Sequence, residues 1–230
     1  MVRVSPQWRQ RALRGVLVCL ALVTIGPVFL ILPLNLVQPP TTAVMLARTV
    51  QRWRADQEPA YPRRRVVGRD AISPQLRRAV LAAEDDRFYL HWGLDLVELR
   101  KAIDDAQEGR RVRGASTITQ QVAKNLFLWE GRSLVRKGYE AYLAVLLELC
   151  LPKERILDLY LNLAEWGDGV FGAERAAQRH FRTSAKSLSA EQAARLAAIL
   201  PSPRRWSPHG AYASRRAGEL QERMRLAPER

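Results

Sequence analysis

The segment from Val16 to Val37, VLVCLALVTIGPVFLILPLNLV, contains no charged residue. As an α-helix its 22 residues rise about 1.5 Å each and cover roughly 30 Å, which is enough to cross the hydrocarbon core of a bilayer. Pro27, Pro33 and Asn35 weaken the C-terminal end and predict a kink there. A cleaved signal peptide is the alternative, but the run is longer than the apolar core of such a peptide and no small-residue cleavage site follows it. We therefore predict one uncleaved transmembrane helix over residues 16–37.

The charges that flank this helix predict its orientation. The residues after it are uncharged until Arg48, whereas four arginines precede it: Arg3, Arg9, Arg11 and Arg14. Because the more basic flank stays in the cytoplasm, we expect residues 1–15 to be cytoplasmic and the rest of the chain to lie across the membrane.

The chain as a whole is strongly basic, with 37 Lys and Arg against 23 Asp and Glu and a net charge of +14. Such an excess indicates an anionic partner: nucleic acid, anionic lipid or a phosphate-bearing substrate. A generally basic surface is the alternative. A domain outside the cytoplasm does not meet nucleic acid, so we expect a phosphate-bearing or membrane-surface ligand. Cys19 and Cys150 both lie in apolar segments and are not expected to form a disulfide.

Helical patterns dominate the remaining sequence, and strand patterns are scarce. Residues 38–54 are interpreted as a membrane-proximal connector, 55–206 as one domain and 207–230 as a basic C-terminal tail. Ser73 before Pro74, and Ser189 with Gln192, are typical helix starts. We therefore predict an all-α fold. The predicted helices cover residues 41–53, 74–83, 95–109, 116–127 (with Ser116 as the cap), 134–151, 153–164, 190–200 and, in the tail, 213–225.

A first group of candidate functional residues follows the helix that starts at Ser73. Glu84, Asp85 and Asp86 stand at its C-terminal end, close to aromatic residues. Burial and the negative end of a helix both favour the neutral form of a carboxyl group, so we expect a raised pKa here. Such a group can act as general acid or base near neutral pH. A solvated turn is the alternative interpretation of three acidic residues at a helix end.

A second group lies in the segment GASTITQQVAKN, residues 114–125. Helical spacing lets Gln120, Gln121 and Lys124 share one polar surface, and the amides that follow Ser116 can bind an anion. The alternative is a capped amphipathic helix without a ligand.

A third group is rich in cations. Arg136 and Lys137 lie four and three residues before Glu140, so simple surface ion pairs are one interpretation. With Lys124 and Arg132 they give four cations within fourteen residues, a set suited to neutralising a diphosphate.

In this order and spacing, the three groups resemble the motifs of the peptidoglycan glycosyltransferase family, and the monofunctional biosynthetic branch in particular. The resemblance covers roughly residues 55–205. The matching segments are 84–93 (Glu-Asp-x-x-Phe-x-x-His-x-Gly), 114–125 (Gly-x-Ser-Thr-Ile-Thr-Gln-Gln, then Ala-Lys-Asn), 136–140 (Arg-Lys-x-x-Glu), 153–162 (with Asp158 where Glu is usual) and 167–172 (Gly-Asp-Gly-Val-Phe-Gly).

The resemblance implies an enzyme that elongates glycan strands from lipid II. Glu84 would deprotonate the 4-hydroxyl of the acceptor sugar, which displaces undecaprenyl diphosphate with inversion and forms a β-1,4 bond. Glu140 would orient cations, support the leaving group or help to bind a divalent cation, and these three roles stay open. The implied substrate-binding residues are Lys124, Arg132, Arg136 and Lys137 at the diphosphate, with Ser116 and Gln121 positioning the substrate.

The resemblance also implies a lysozyme-like fold, which agrees with the all-α prediction, and a periplasmic domain anchored in the inner membrane. Its partners would be lipid II, the growing lipid-linked glycan chain and cell-division or elongation proteins. Mg²⁺ or Mn²⁺ carried on the substrate diphosphate is the expected cofactor. No dedicated metal-binding residues are predicted, because no His, Cys and Asp cluster has the required spacing.

Two other functions stay open from the sequence. One is a lytic enzyme that cleaves the same polymer with one catalytic Glu, and the other is an inactive, membrane-tethered interaction module of a cell-wall complex. A hydrolase does not need a diphosphate site, so the cations around Lys124 favour synthesis. A penicillin-sensitive transpeptidase domain is not expected, since no Ser-x-x-Lys motif follows residue 206.

Overall fold

A computed structural model describes residues 6–57, 63–110, 114–129, 131 and 133–226, and this part of the chain is almost entirely helical. The predicted all-α class with one N-terminal apolar helix is confirmed. Two short strands, β1 (Arg63–Arg64) and β2 (Val170–Phe171), pair in parallel. The α-helices are α1 (Pro6–Thr24), α2 (Gly26–Ile31), α3 (Ala43–Arg54), α4 (Pro74–Glu84), α5 (Leu96–Gln107), α6 (Ile118–Phe127), α7 (Leu134–Cys150), α8 (Lys153–Leu163), α9 (Ala173–Phe181), α10 (Ala190–Ile199) and α11 (Ala211–Leu226).

The N-terminal segment contains the single stretch of the described chain, Gln10–Asn35, that is long and apolar enough to cross a membrane. It is not one straight helix. α1 ends at Thr24, α2 follows, and a 3₁₀ turn over Leu32–Asn35 completes the segment. Pro27 lies in the first turn of α2, where a missing amide donor costs little. The predicted interruption near the prolines is therefore present.

The end of this segment is bonded to α7. The Tyr139 hydroxyl donates to the Val23 carbonyl at 2.9 Å, and the Asn35 amide donates to the Cys150 carbonyl, also at 2.9 Å. Val23 is thus bonded near the start of α7, and Asn35 is bonded at its end. The N-terminal segment and α7 therefore run in the same direction. The start of α7 therefore lies at the end of the domain that α1 reaches.

Two groups of helices form the core. α10 packs between α4 and α11, and α6 packs against α3, α7 and α8. Small side chains let neighbouring helices approach α10 closely. Its buried alanines are Ala193, Ala194, Ala197 and Ala198.

Most helix starts that are marked by a polar capping residue were predicted correctly. Ser73 accepts from the Gln75 amide, and Ser189 forms the predicted capping box with Gln192. The prediction of Ser116 as a cap was wrong. Thr117 is the cap of α6, because the Gln three residues later can return the hydrogen bond to its amide.

Packing that has no local signal was not predicted. α9 was missed because its buried apolar residues are small alanines, Ala173, Ala176 and Ala177, and not the large apolar residues that marked most of the other helices. The helix expected within the tail is present as α11, and it packs against α4 and α10. The folded body of the described residues therefore continues beyond residue 206. α3, in the connector, likewise packs on α6.

Gly93 sits where a loop meets α7. Its φ is +78°, and a Cβ there would lie 3.0 Å from the backbone carbon and oxygen of Ala144. Its carbonyl accepts the Thr117 hydroxyl at 2.6 Å, so the loop cannot shift without breaking a bond to the start of α6. Only glycine fits both requirements.

We expect Gly93→Ala to lower the free energy of unfolding by about 2–4 kcal/mol, because it combines a left-handed backbone with overpacking. Gly218→Ala is the matched control, since Gly218 lies inside α11 with no atom within 4 Å of the added Cβ. That change should stabilise the helix by about 0.5–1 kcal/mol. Denaturant unfolding of the full chain in detergent measures both, and equal stabilities would contradict the assignment.

Candidate active site

Glu84 is the last residue of α4, and its carboxylate is bonded to α6. The Gln121 side-chain amide donates to Glu84 Oε2 at 2.7 Å. The carbonyl oxygen of the same amide accepts from the Tyr160 hydroxyl on α8 at 3.2 Å. The tyrosine therefore orients the amide so that its N–H group faces the carboxylate.

The environment of Glu84 shifts its acidity. Burial raises the pKa of Glu84, and this outweighs the Gln121 hydrogen bond and the Lys124 and Arg216 charges, which lower it. Burial and the nearby carboxylates raise the pKa of Tyr160 well above its ordinary value, so this side chain remains a hydrogen-bond donor. A carboxylate with a raised pKa and one neutral donor is a suitable general base.

Asp85 fixes the loop that follows Glu84. Its carboxylate accepts the Ile118 amide at 3.0 Å, at the start of α6, and bonds His91 Nε2 at 3.0 Å. Asp85, His91 and Asp95 have possible metal-ligand atoms within 4.8 Å of one another. The Asp95 carboxylate accepts the Val97 amide at 2.9 Å, so both acids already serve as hydrogen-bond acceptors. We interpret this group as a structural network.

The second predicted carboxylate, Glu140, is bonded to cations. Arg136 donates to its Oε2 at 2.9 Å and Lys137 to its Oε1 at 2.5 Å. Lys137 also donates to the Ser116 hydroxyl at 2.8 Å. The Lys137 side chain is 43% exposed and that of Arg136 11%, so the lysine is the more accessible charge. The structure thus brings together four of the predicted residues.

Lys124 and Gln121 line a different space, a groove of about 800 Å³ between α3, α6, α8 and the 200–205 loop. Glu84 and Ser116 line a small cavity of about 70 Å³ with Arg223 of α11. Gln121 bonds Glu84, so its side chain stands between the two spaces. The predicted residue Arg132 lies outside the described residues.

Sequence reasoning missed three residues of this site. Tyr160 fell within the matching segment 153–162 without a role of its own, and Asp85 was interpreted only as a neighbour of Glu84. Arg223 was placed in the tail. A polar residue within an apolar face gives a weak signal for Tyr160, but only the fold places Arg223 beside Glu84.

Gln120 was expected on the same polar surface as Gln121 and Lys124. It instead closes the capping box of α6 and is buried.

Comparison with known proteins gives one consistent result. The family model described as Transglycosylase matches residues 50–226. The biosynthetic peptidoglycan transglycosylase of Pseudomonas syringae pv. syringae (strain B728a) is 50% identical over 218 residues, which cover 94% of this chain and 92% of that protein. Proteins of the same name from Pseudomonas fluorescens (strain Pf0-1) and Stutzerimonas stutzeri (strain A1501) are 50% and 49% identical, each over 86% of this chain and over 83% and 82% of their own length.

We expect Glu84→Gln to raise the thermal unfolding midpoint at about pH 8. Since the folded-state pKa of Glu84 is raised above 4.5, the contribution of this group to stability is fully present below the unfolded pKa and is lost as the pH rises through the folded one. Glutamine keeps the shape of the neutral form, so the difference should shrink toward about pH 4. Glu222→Gln, an exposed change on α11, is the control and should show no such trend. A midpoint below wild type at pH 8 would refute the effect.

Proposed function

The chain belongs to the transglycosylase family and is a peptidoglycan glycosyltransferase, and we propose that it elongates glycan strands from lipid II with Glu84 as the general base. The acceptor 4-hydroxyl loses its proton to Glu84 and attacks the anomeric carbon of the donor. Undecaprenyl diphosphate leaves, and a single displacement inverts the centre to give a β-1,4 bond. The observation that carries the proposal is the Gln121 amide on Glu84 Oε2, which favours the charged, proton-accepting carboxylate.

The two carboxylates differ in their partners, and this assigns their roles. Glu84 accepts from a neutral amide, whereas Glu140 is 2% exposed and bonded to both Arg136 and Lys137. Each oxygen of Glu140 accepts from a cationic side chain, so this carboxylate is engaged in ion pairs rather than directed at a substrate hydroxyl. Glu140 therefore orients the cations, and Glu84 moves the proton.

The departing diphosphate needs positive charge on the opposite side of the donor. Lys137 supplies an exposed ammonium group that is held by Ser116 and Glu140, and Lys124 supplies another at the groove. We assign these two lysines to the diphosphate, with Arg132 and Arg136 completing the set. Cations fixed in advance stabilise developing charge without reorganisation.

A divalent cation, Mg²⁺ or Mn²⁺, enters as part of the substrate in this proposal, bound to the diphosphate. Both oxygens of Glu140 are occupied by cationic side chains, which argues against a metal held by that carboxylate. The cation would neutralise phosphate charge as the bond breaks. Adding EDTA to the polymerisation assay should stop glycan formation, and Mg²⁺ or Mn²⁺ should restore it.

We propose that the N-terminal segment is an uncleaved anchor of the inner membrane, with residues 1–15 in the cytoplasm and the domain in the periplasm. Cleavage after residue 37 would remove the bonds from Tyr139 to Val23 and from Asn35 to Cys150. The start of α7 then lies on the membrane side of the domain. Leu134 and Val135 lie at this start of α7, and they are 91% and 84% exposed. Apolar exposure at this position favours a lipid-facing edge, one turn from Lys137, where a lipid-linked diphosphate would arrive.

The lipid II assay separates the candidate functions. We expect purified protein to form long, lysozyme-sensitive glycan, and Glu84→Gln to lower its kcat by about 10²–10⁴-fold because the base is lost. Glu222→Gln should leave the rate unchanged. Cleavage of preformed glycan without polymerisation would support the lytic alternative instead. An inactive wild type would support the interaction module, in which cell-division or elongation proteins are the partners, and an active Glu84→Gln would exclude this residue as the base.

The lipid-facing edge predicts an effect that depends on the substrate. We expect Leu134→Asp to slow polymerisation of long-chain lipid II in vesicles about fivefold, since a charge near the interface costs about 1 kcal/mol. Leu134→Met, which keeps the residue apolar, should have no effect. A water-soluble donor with a short prenyl chain should react equally well with all three proteins. An equal loss with both donors would mean that Leu134 acts through the fold rather than through the membrane.

A further inference from the structure

The C-terminal helix α11 packs against the helix that carries Glu84. Its inner face contacts α10 and α4, and α4 ends at Glu84. This face is set by the 3.6-residue helical period. Its buried residues are Ala213, Ala217, Leu220 and Met224.

The same period brings two arginines of α11 toward the site. Arg216 is close enough for its charge to act on Glu84. Arg223, seven residues later, donates from Nη2 to Asp86 Oδ2 at 2.8 Å, and the partner stands two residues after Glu84. Arg223 also lines the small cavity together with Glu84 and Ser116.

The charge balance of this cavity depends on Arg223. Its lining carries five carboxylates, and Arg223 is the single basic residue among the described residues that line it. Asp85 and Asp95 have partners of their own in His91 and Arg87. Asp86 is bonded to Arg223, so this arginine compensates the carboxylate that stands two residues after Glu84 in the same lining.

The two terminal nitrogens of the Arg223 guanidinium group differ in their bonding. Arg223 Nη1 is buried and has no hydrogen-bond partner among the residues that the structure describes. A buried unpaired donor costs about 1–3 kcal/mol, so a residue whose only task was to hold α11 in place would be poorly suited to this position.

We propose that Arg223 is a positioning residue of the catalytic site. Its ion pair with Asp86 holds the loop after Glu84 in place and neutralises the Asp86 charge. The C-terminal helix is then part of the catalytic machinery. This inference rests on the proposed role of Glu84 as the base.

The test measures kcat, KM and the acid limb of the kcat/KM pH profile in the full chain with lipid II. Arg223→Ala should lower kcat about two- to fivefold with little change in KM, the effect of losing one partly exposed ion pair. It should also move the acid limb to higher pH, because the Asp86 charge is no longer compensated. The other groups that face Glu84 stay constant: Lys124 and Gln121 on α6, Tyr160 on α8, Asp85 in the loop and Arg216 on α11.

Asp86→Asn provides the decisive comparison. Added to Arg223→Ala, it removes the uncompensated charge, so the acid limb should return toward its wild-type position. Arg223→Lys should recover most of the kcat, and Arg215→Ala, an exposed change on the same helix, should match wild type.

The outcomes separate this inference from the function that it rests on. An acid limb that does not move in Arg223→Ala, or that Asp86→Asn does not reverse, would reduce Arg223 to a structural contact. A wild type that does not polymerise lipid II, or an active Glu84→Gln, would overturn the proposed function itself.

Discussion

The carboxylate of Asp85 holds the site together, because it joins the end of one helix to the start of another. It accepts the Ile118 amide, one of the free N–H groups at the positive end of α6. Glu84 directly precedes it, and Gln121 lies one turn further along α6. The hydrogen bond between Ile118 and Asp85 therefore sets the distance between the Glu84 carboxylate and the Gln121 amide, although neither Glu84 nor Gln121 takes part in it. A second hydrogen bond, from the Thr117 hydroxyl to the Gly93 carbonyl, joins the same loop to the start of α6 eight residues after Asp85.

The sequence predicted the parts of this arrangement that have local causes. Capping residues and apolar periods located most helices, since both signals act within a few residues. The motif around Glu84 singled out that residue, but burial and partner determine its acidity, and both come from α6 and α8. The role of Tyr160 could not be predicted, because an aromatic residue on an apolar helix face is usually core. α11 could be predicted as a helix but not as a wall of the cavity, since its partner Asp86 lies 137 positions earlier.

The two cations bonded to Glu140 differ in exposure. The resemblance implied that both Arg136 and Lys137 lie at a diphosphate site. The structure buries the Arg136 side chain against Glu140 and leaves Lys137 partly exposed on the same carboxylate. A buried arginine fixes the carboxylate, and the carboxylate in turn fixes the lysine, which loses less freedom when an anion binds. Lys137 is thus the more accessible charge of this group, and Arg136 supports it through Glu140.

The direction of the hydrogen bond on Glu84 favours bond formation over cleavage. A lytic enzyme needs its glutamic acid protonated, to give a proton to the leaving sugar oxygen, and a group beside it should then accept that proton's hydrogen bond. Here Tyr160 occupies the carbonyl oxygen of Gln121, so the amide presents its N–H group to Glu84 and stabilises the ionised form. Burial raises the pKa of Glu84, and the Gln121 hydrogen bond acts in the opposite direction. In the proposed mechanism, Tyr160 therefore supports the role of Glu84 as a base through the orientation of the Gln121 amide.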